Sequence, residues 1–292
     1  MEKKPSKIIA VLFAMLLVII FLAVITVGQG VVLFPVMWEL AQSGAVTTQE
    51  EIMAAINSKE GLMSNAQFLS EVIAIIVMFA WYYFSYVRKD KREGTYKPIT
   101  KKFENKYNLL FVVLLCLAAS CSTFVTYSIL EVVMPEKVSQ LGDALGAISG
   151  TWIGVLAVAI GAPISEELAM RGILIRKSRK AFGVVGCMIL SGLCFGMVHA
   201  NIVQGIYAFP MGMIFGYVAY KFNSVIPTII AHAYHNGLAG YVYAAIGKVG
   251  MAVALVLCCV AIYFVYKKVE IESISGVIKP DVEKEAEDVI AV

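Results

Sequence analysis

Apolar positions gather into eight long stretches, roughly 8–27, 66–87, 107–130, 148–175, 183–200, 203–220, 224–246 and 249–266. Each approaches the roughly 20 residues a helix needs to cross a bilayer. The fourth and seventh carry polar groups, which weakens their hydropathy but not their length. The first follows Lys3, Lys4 and Lys7. Its apolar run is too long for a signal peptide, and no small-residue cleavage site follows, so it is predicted to stay as a helix. Between the first two stretches, Thr47-Thr48-Gln49-Glu50 ahead of Ile52, Met53 and Ile56 predicts a capped amphipathic helix on the outer surface.

Composition agrees with this pattern. With 292 residues, 60% hydrophobic and 15% charged, and a mean hydropathy of +0.80, the chain is too apolar for a soluble globule. The expected fold is all-α, a polytopic membrane bundle of about eight transmembrane helices. It divides into N-terminal helices with an outer and a basic loop (1–147), a core bearing the polar motifs (148–246), a last span (247–268) and an acidic tail (269–292) expected to be disordered.

Basic residues set the expected orientation, because Lys and Arg in short loops resist translocation. The loop 88–106 holds Arg88, Lys89, Lys91, Arg92, Lys97, Lys101, Lys102 and Lys106, and Arg176-Lys177-Ser178-Arg179-Lys180 and Lys221 fall on the same side. The opposite side has Lys59, Lys137 and Lys248. Both termini are therefore expected in the cytoplasm. The compact size favours a bacterial plasma membrane. The net charge of +3 hides this asymmetry and is no nucleic-acid signal. Cys116, Cys121, Cys187, Cys194, Cys258 and Cys259 fall inside predicted spans, where cysteine packs as a small apolar residue.

Candidate chemistry lies in three motifs within apolar stretches: Glu166-Glu167-x-x-x-Arg171, Phe195-x-x-x-His199 and His232-x-x-x-Asn236. Such groups at membrane depth are costly and usually face a cavity where they act. Glu167 and Arg171 are four apart and share a helix face, which suits a charge-assisted pair. Glu166 is rotated by about 100° and left free to accept a proton. His232 and Asn236 also share a face, and two neutral donors converging there would make an oxyanion site. The three histidines are the only ones in the chain. His235 either lines the same cavity or merely donates to a carbonyl.

The order EELAMR (166–171), FGMVH (195–199) and HAYHN (232–236) resembles the CPBP family, the CAAX proteases and bacteriocin-processing enzymes also called Abi, over roughly residues 150–240. The resemblance implies a glutamate-dependent intramembrane endopeptidase acting on a membrane-associated peptide or protein, prenylated, leader or other. It implies that Glu166 with His199 activates a water and that His232 and Asn236 stabilise the oxyanion. Glu167 and Arg171 would fix the helix, with Phe195 in support.

No cofactor is expected. Zinc is the competing reading, with His199, His232, His235 and Glu166 as ligands, but no HExxH pair lies on one helix. Ser165 and Ser191 lie in no nucleophile motif. A bacteriocin self-immunity factor of the same fold is the non-proteolytic alternative. A transporter is disfavoured for want of matched halves. Counting about 1.5 Å per residue from the cytoplasmic edge puts Glu166 about 15 Å deep, His232 about 12 Å and His199 about 24 Å. The fifth helix must therefore start below the membrane surface, or the 200–203 hairpin must be re-entrant.

Overall fold

A computed structural model describes residues 6–44, 48–273 and 276–278. The fold is all-α. Helix α1 is Lys7–Ser43, α2 Gln49–Ser58, α3 Leu62–Arg92, α4 Ile99–Lys102, α5 Lys106–Val133, α6 Pro135–Ser149, α7 Trp152–Ser178, α8 Val184–Val198, α9 Ile202–Phe222 and α10 Ile226–Tyr266. Among the described residues, α1, α3, α5, α7, α9 and α10 are long and apolar enough to cross a membrane, and α8 is a shorter apolar helix.

The last of these is two spans. Gly247 has φ 66° and ψ −175°, a backbone state open to glycine, and helical geometry breaks there. Before it, His235 and then Tyr243 meet Ser120 and Ser128 of α5, and just past it Lys248 pairs with Glu131. After it, Tyr266 lies against Phe111 and Asn105 reaches the Lys268 carbonyl. The chain thus climbs α5 and descends it again, and with α8 the apolar segments number about eight, as the sequence pattern predicts.

Local signals explain the ends. The Thr48 side chain accepts from Glu51 N while Glu51 accepts from Thr48 N, a capping box that starts α2. Thr47, ahead of it, lies outside the described residues. Asn105 caps α5 and Asn201 caps α9 by accepting from the first-turn amides.

The core sits where α1, α3, α7, α8 and α9 meet, around Leu17, Met78, Ile173, Phe195 and Phe215. In lipid such packing depends on close approach rather than on water exclusion. A Cβ on Gly212 of α9 would lie 2.8 Å from Gly192 Cα of α8, so only glycine permits this spacing.

The basic segments assigned to one side of the membrane do meet at one end of the bundle. Arg176 of α7 bonds Asp90 of α3 and Asn223 after α9, and Arg179 and Lys102 also reach Asn223. At the other end lie the pairs Lys59–Glu39 and Lys248–Glu131. Where the sequence suggests a disordered tail, its first residues are seated. Val269 is buried, Asn108 bonds both the amide and the carbonyl of Glu270, and β1 (Ile271–Ser273) pairs antiparallel with β2 (Gly276–Ile278). Lys3, Lys4 and the acidic residues from 281 onward lie outside the described residues.

The six cysteines are free thiols, mostly packed inside helices.

Candidate active site

Helix α7 carries the two glutamates of the first motif between two wide turns, π-helical at Ala157–Gly161 and Leu168–Leu174, with Arg171 inside the second. Such insertions concentrate at functional sites. The first has a covalent cause. The Ala162 amide bonds the Ala157 carbonyl five residues back, and in that register the Val158 carbonyl would wait for residue 163, which is proline and has no N–H. The Asn236 amide takes the vacated Val158 carbonyl at 2.9 Å.

Between these turns the pair of glutamates divides as the helix geometry requires. Glu167 turns fully inward, and its Oε1 lies 2.7 Å from Arg171 Nη1, both side chains being 0% exposed. Arg171 continues to the Gly212 carbonyl at 3.3 Å and stacks its guanidinium over Phe195 and Phe215, at 4.4 and 5.4 Å from the ring centroids. Glu166 points elsewhere, retains slight exposure, and its Oε2 has no hydrogen-bond partner among the described residues.

His232 of α10 joins both carboxylates. Its Nδ1 is 3.1 Å from Glu167 Oε1 and its Nε2 is 3.9 Å from Glu166 Oε2. A carboxylate engaged by Arg171 can only accept, so the Nδ1 facing it bears the proton, and in the neutral ring Nε2 is the accepting nitrogen.

His199 ends α8. Its Nδ1 donates to the Phe195 carbonyl at 2.7 Å, since a carbonyl only accepts, which again leaves Nε2 as the basic nitrogen. Phe195 binds the motifs together: its ring meets His199 at 5.0 Å and His232 at 5.4 Å, both edge-on, beneath the Arg171 guanidinium. Ala200 follows in the left-handed region at φ 50° and makes the tight turn into α9. Depths counted along the separate helices do not decide whether the motifs meet, because the packing sets His199 and His232 against one Phe195 ring and His232 beside Glu166.

The structure therefore brings Glu166, Glu167, Arg171, Phe195, His199 and His232 together. Asn236 is exposed and spends one N–H on Val158, leaving its second donor open. It does not share the inward face of His232, because α10 widens into a π-turn at His235–Ala239. His235 turns the other way, its Nδ1 2.8 Å from Ser120 Oγ and its ring 5.2 Å from Phe124. Among the described residues no three His, Cys, Asp or Glu side chains are grouped to hold a metal ion, and His235 stands apart from His199, His232 and Glu166. Ser191 donates to the Gly212 carbonyl.

One group near the site was not singled out in the sequence. Glu71 of α3 is buried, accepts from Gln67 at 2.7 Å, and lies 2.6 Å from the hydroxyl of Ser165, the residue before Glu166. Its signal was a lone carboxylate inside an apolar stretch, with Gln67 one turn earlier.

Residues 148–238 match the family model described as type II CAAX prenyl endopeptidase Rce1-like, consistent with the CPBP family. The match brackets all three motifs and begins just before α7. No curated protein and no solved structure matches the chain.

Proposed function

We propose that this integral membrane protein is an intramembrane endopeptidase in which Glu166 activates water to hydrolyse a peptide bond of a membrane-associated substrate. The observation that carries this reading is the unpartnered, buried Glu166 Oε2 beside two imidazoles whose Nε2 atoms are free to accept. A water bound there has acceptors for both of its hydrogens. The family match supports CAAX-type protease activity at a coarse level.

In the proposed cycle the water gives a proton to Glu166 as it attacks the carbonyl carbon. Glu166 passes this proton to His232 Nε2, which Glu167 and Arg171 hold in place. The protonated Nε2 then faces the oxyanion, and the proton leaves on the amine. His199 Nε2 orients the water. Every step runs on side chains of this chain, and no metal enters.

The bilayer supplies the setting, and we assign both termini to the cytoplasmic side of a plasma membrane, the side where Arg176, Arg179 and Lys102 gather. The test is cleavage of a membrane-peptide library by purified protein and by Glu166→Gln, each with and without a chelator. Activity lost in the variant and retained in chelator supports the glutamate mechanism. Loss to chelator transfers Glu166 and the histidines to zinc, and no cleavage by wild type favours a non-proteolytic role such as self-immunity.

A further inference from the structure

Three carboxyl groups approach one another around the first motif: Glu166, Glu167 and Glu71. Glu167 is answered by Arg171. Glu71 comes from α3, outside the matched segment, and its partners are neutral: Gln67 Nε2 at 2.7 Å and Ser165 Oγ at 2.6 Å. Gln67 in turn accepts from Gln29 of α1 at 2.9 Å. A polar chain, Gln29–Gln67–Glu71–Ser165, thus crosses from α1 through α3 to α7 and ends one residue before the proposed base.

The hydrogens along this chain can be counted. Gln29 donates to Gln67 Oε1, which orients the Gln67 amide so that its NH2 faces Glu71 Oε1. Ser165 has one hydroxyl proton but two acceptors in reach, Glu71 Oε2 at 2.6 Å and the Ala162 carbonyl at 3.1 Å. If Glu71 were ionised, a second uncompensated charge would sit beside Glu166 in a dry interior, its only partners the neutral Gln67 and Ser165. A proton on Glu71 Oε2 removes that charge and leaves the polar chain intact. Glu71 donates to Ser165, Ser165 donates to Ala162, and each acceptor receives one hydrogen.

We propose that Glu71 is a positioning residue that carries a proton at neutral pH and, through Ser165, fixes the turn of α7 from which Glu166 projects. Gly161 makes this possible. A Cβ there would lie 2.9 Å from Glu71 Cβ, so glycine lets α3 approach α7 closely enough for the bond to form. The kinetic part of the proposal rests on the protease reading, whereas the protonation does not.

The test combines infrared spectroscopy with kinetics on the full chain in lipid nanodiscs. The wild-type-minus-Glu71→Gln difference spectrum at neutral pH should contain a protonated-carboxyl stretch, moved in frequency by Ser165→Ala. Glutamine reproduces the donor and acceptor of a protonated glutamate, so Glu71→Gln should recover most of the kcat that Glu71→Leu loses, about tenfold, with KM little changed. Should Glu71→Leu fail to fold, Ser165→Ala provides the same kcat comparison. A carboxylate band in the difference spectrum overturns the proposal, as does a folded Glu71→Gln that is as slow as Glu71→Leu. If wild type cleaves nothing, the protease reading fails while the spectrum still decides the state of Glu71.

Discussion

Glu167 and His232 meet through one oxygen: Oε1 of the glutamate, 3.1 Å from the imidazole Nδ1, is the same atom that binds Arg171 at 2.7 Å. The carboxylate therefore compensates the guanidinium and fixes the tautomer of a ring that also faces Glu166. Arg171 should accordingly behave as both a structural and a functional residue. Replacing it by Met leaves Glu167 buried and unpaired, at a cost of about 3–5 kcal/mol. Thermal unfolding should shift downward and proteolysis should fall with it. An Arg171→Met protein with wild-type Tm and kcat would refute the brace.

Glu166→Gln and His199→Ala remove groups proposed to contact the water and bond to little else. Both proteins should keep the helical circular dichroism and Tm of the wild type. Both should lose at least about a hundredfold in kcat, the scale of a lost general base.

Ala200 holds a left-handed backbone at the turn that presents His199. For a residue with a Cβ this costs about 1–2 kcal/mol, and a branched side chain fits worse. Ala200→Val should lower Tm and slow cleavage, whereas Ala200→Gly should raise or preserve Tm, the relief being partly offset by the freer unfolded chain. Equal Tm values for the two variants would contradict the strain.

Pro163 has no N–H for the Val158 carbonyl that Asn236 occupies. Pro163→Ala supplies one, so the helix should tighten and Asn236 should lose its anchor. The expected result is a Tm equal to or above wild type together with a reduced kcat, opposite signs that no simple destabilisation gives.

Lys102 lies outside the spans, where burial first, then the neighbouring Arg176, bring its ammonium down to about 8 from the usual 10.5. The folded state thus binds fewer protons than the unfolded state between these values. The penalty is full below the folded pKa and fades as pH rises from about 8 toward 10.5. Tm should gain from alkalinity over that window, and Lys102→Met should flatten the gain. Parallel curves for the two proteins would exclude Lys102 as its source.

Much of this was legible in the sequence because membrane helices declare themselves by length and the motif residues by their cost in lipid. The Glu167–Arg171 pair and the divergence of Glu166 follow from helical spacing alone. Spacing failed at Asn236, since the widened turn at His235–Ala239 changes which residues share a face and the partner carbonyl of Val158 belongs to another helix. It also could not orient His235, whose partner Ser120 is remote in sequence. Glu71 went unmarked because its meaning lies in Ser165, which sits on a different helix.

The chain from Gln29 to Glu71 also bears on how the protein enters its membrane. Helices emerge from the ribosome in order, so α3 arrives in lipid carrying a carboxyl group well before α7 exists to receive it. Gln67 on the same helix and Gln29 on its predecessor already bind one another and the near oxygen of Glu71. The first helices can thus insert with much of this polarity satisfied among themselves, and Ser165 finds its partner Glu71 waiting when α7 is inserted.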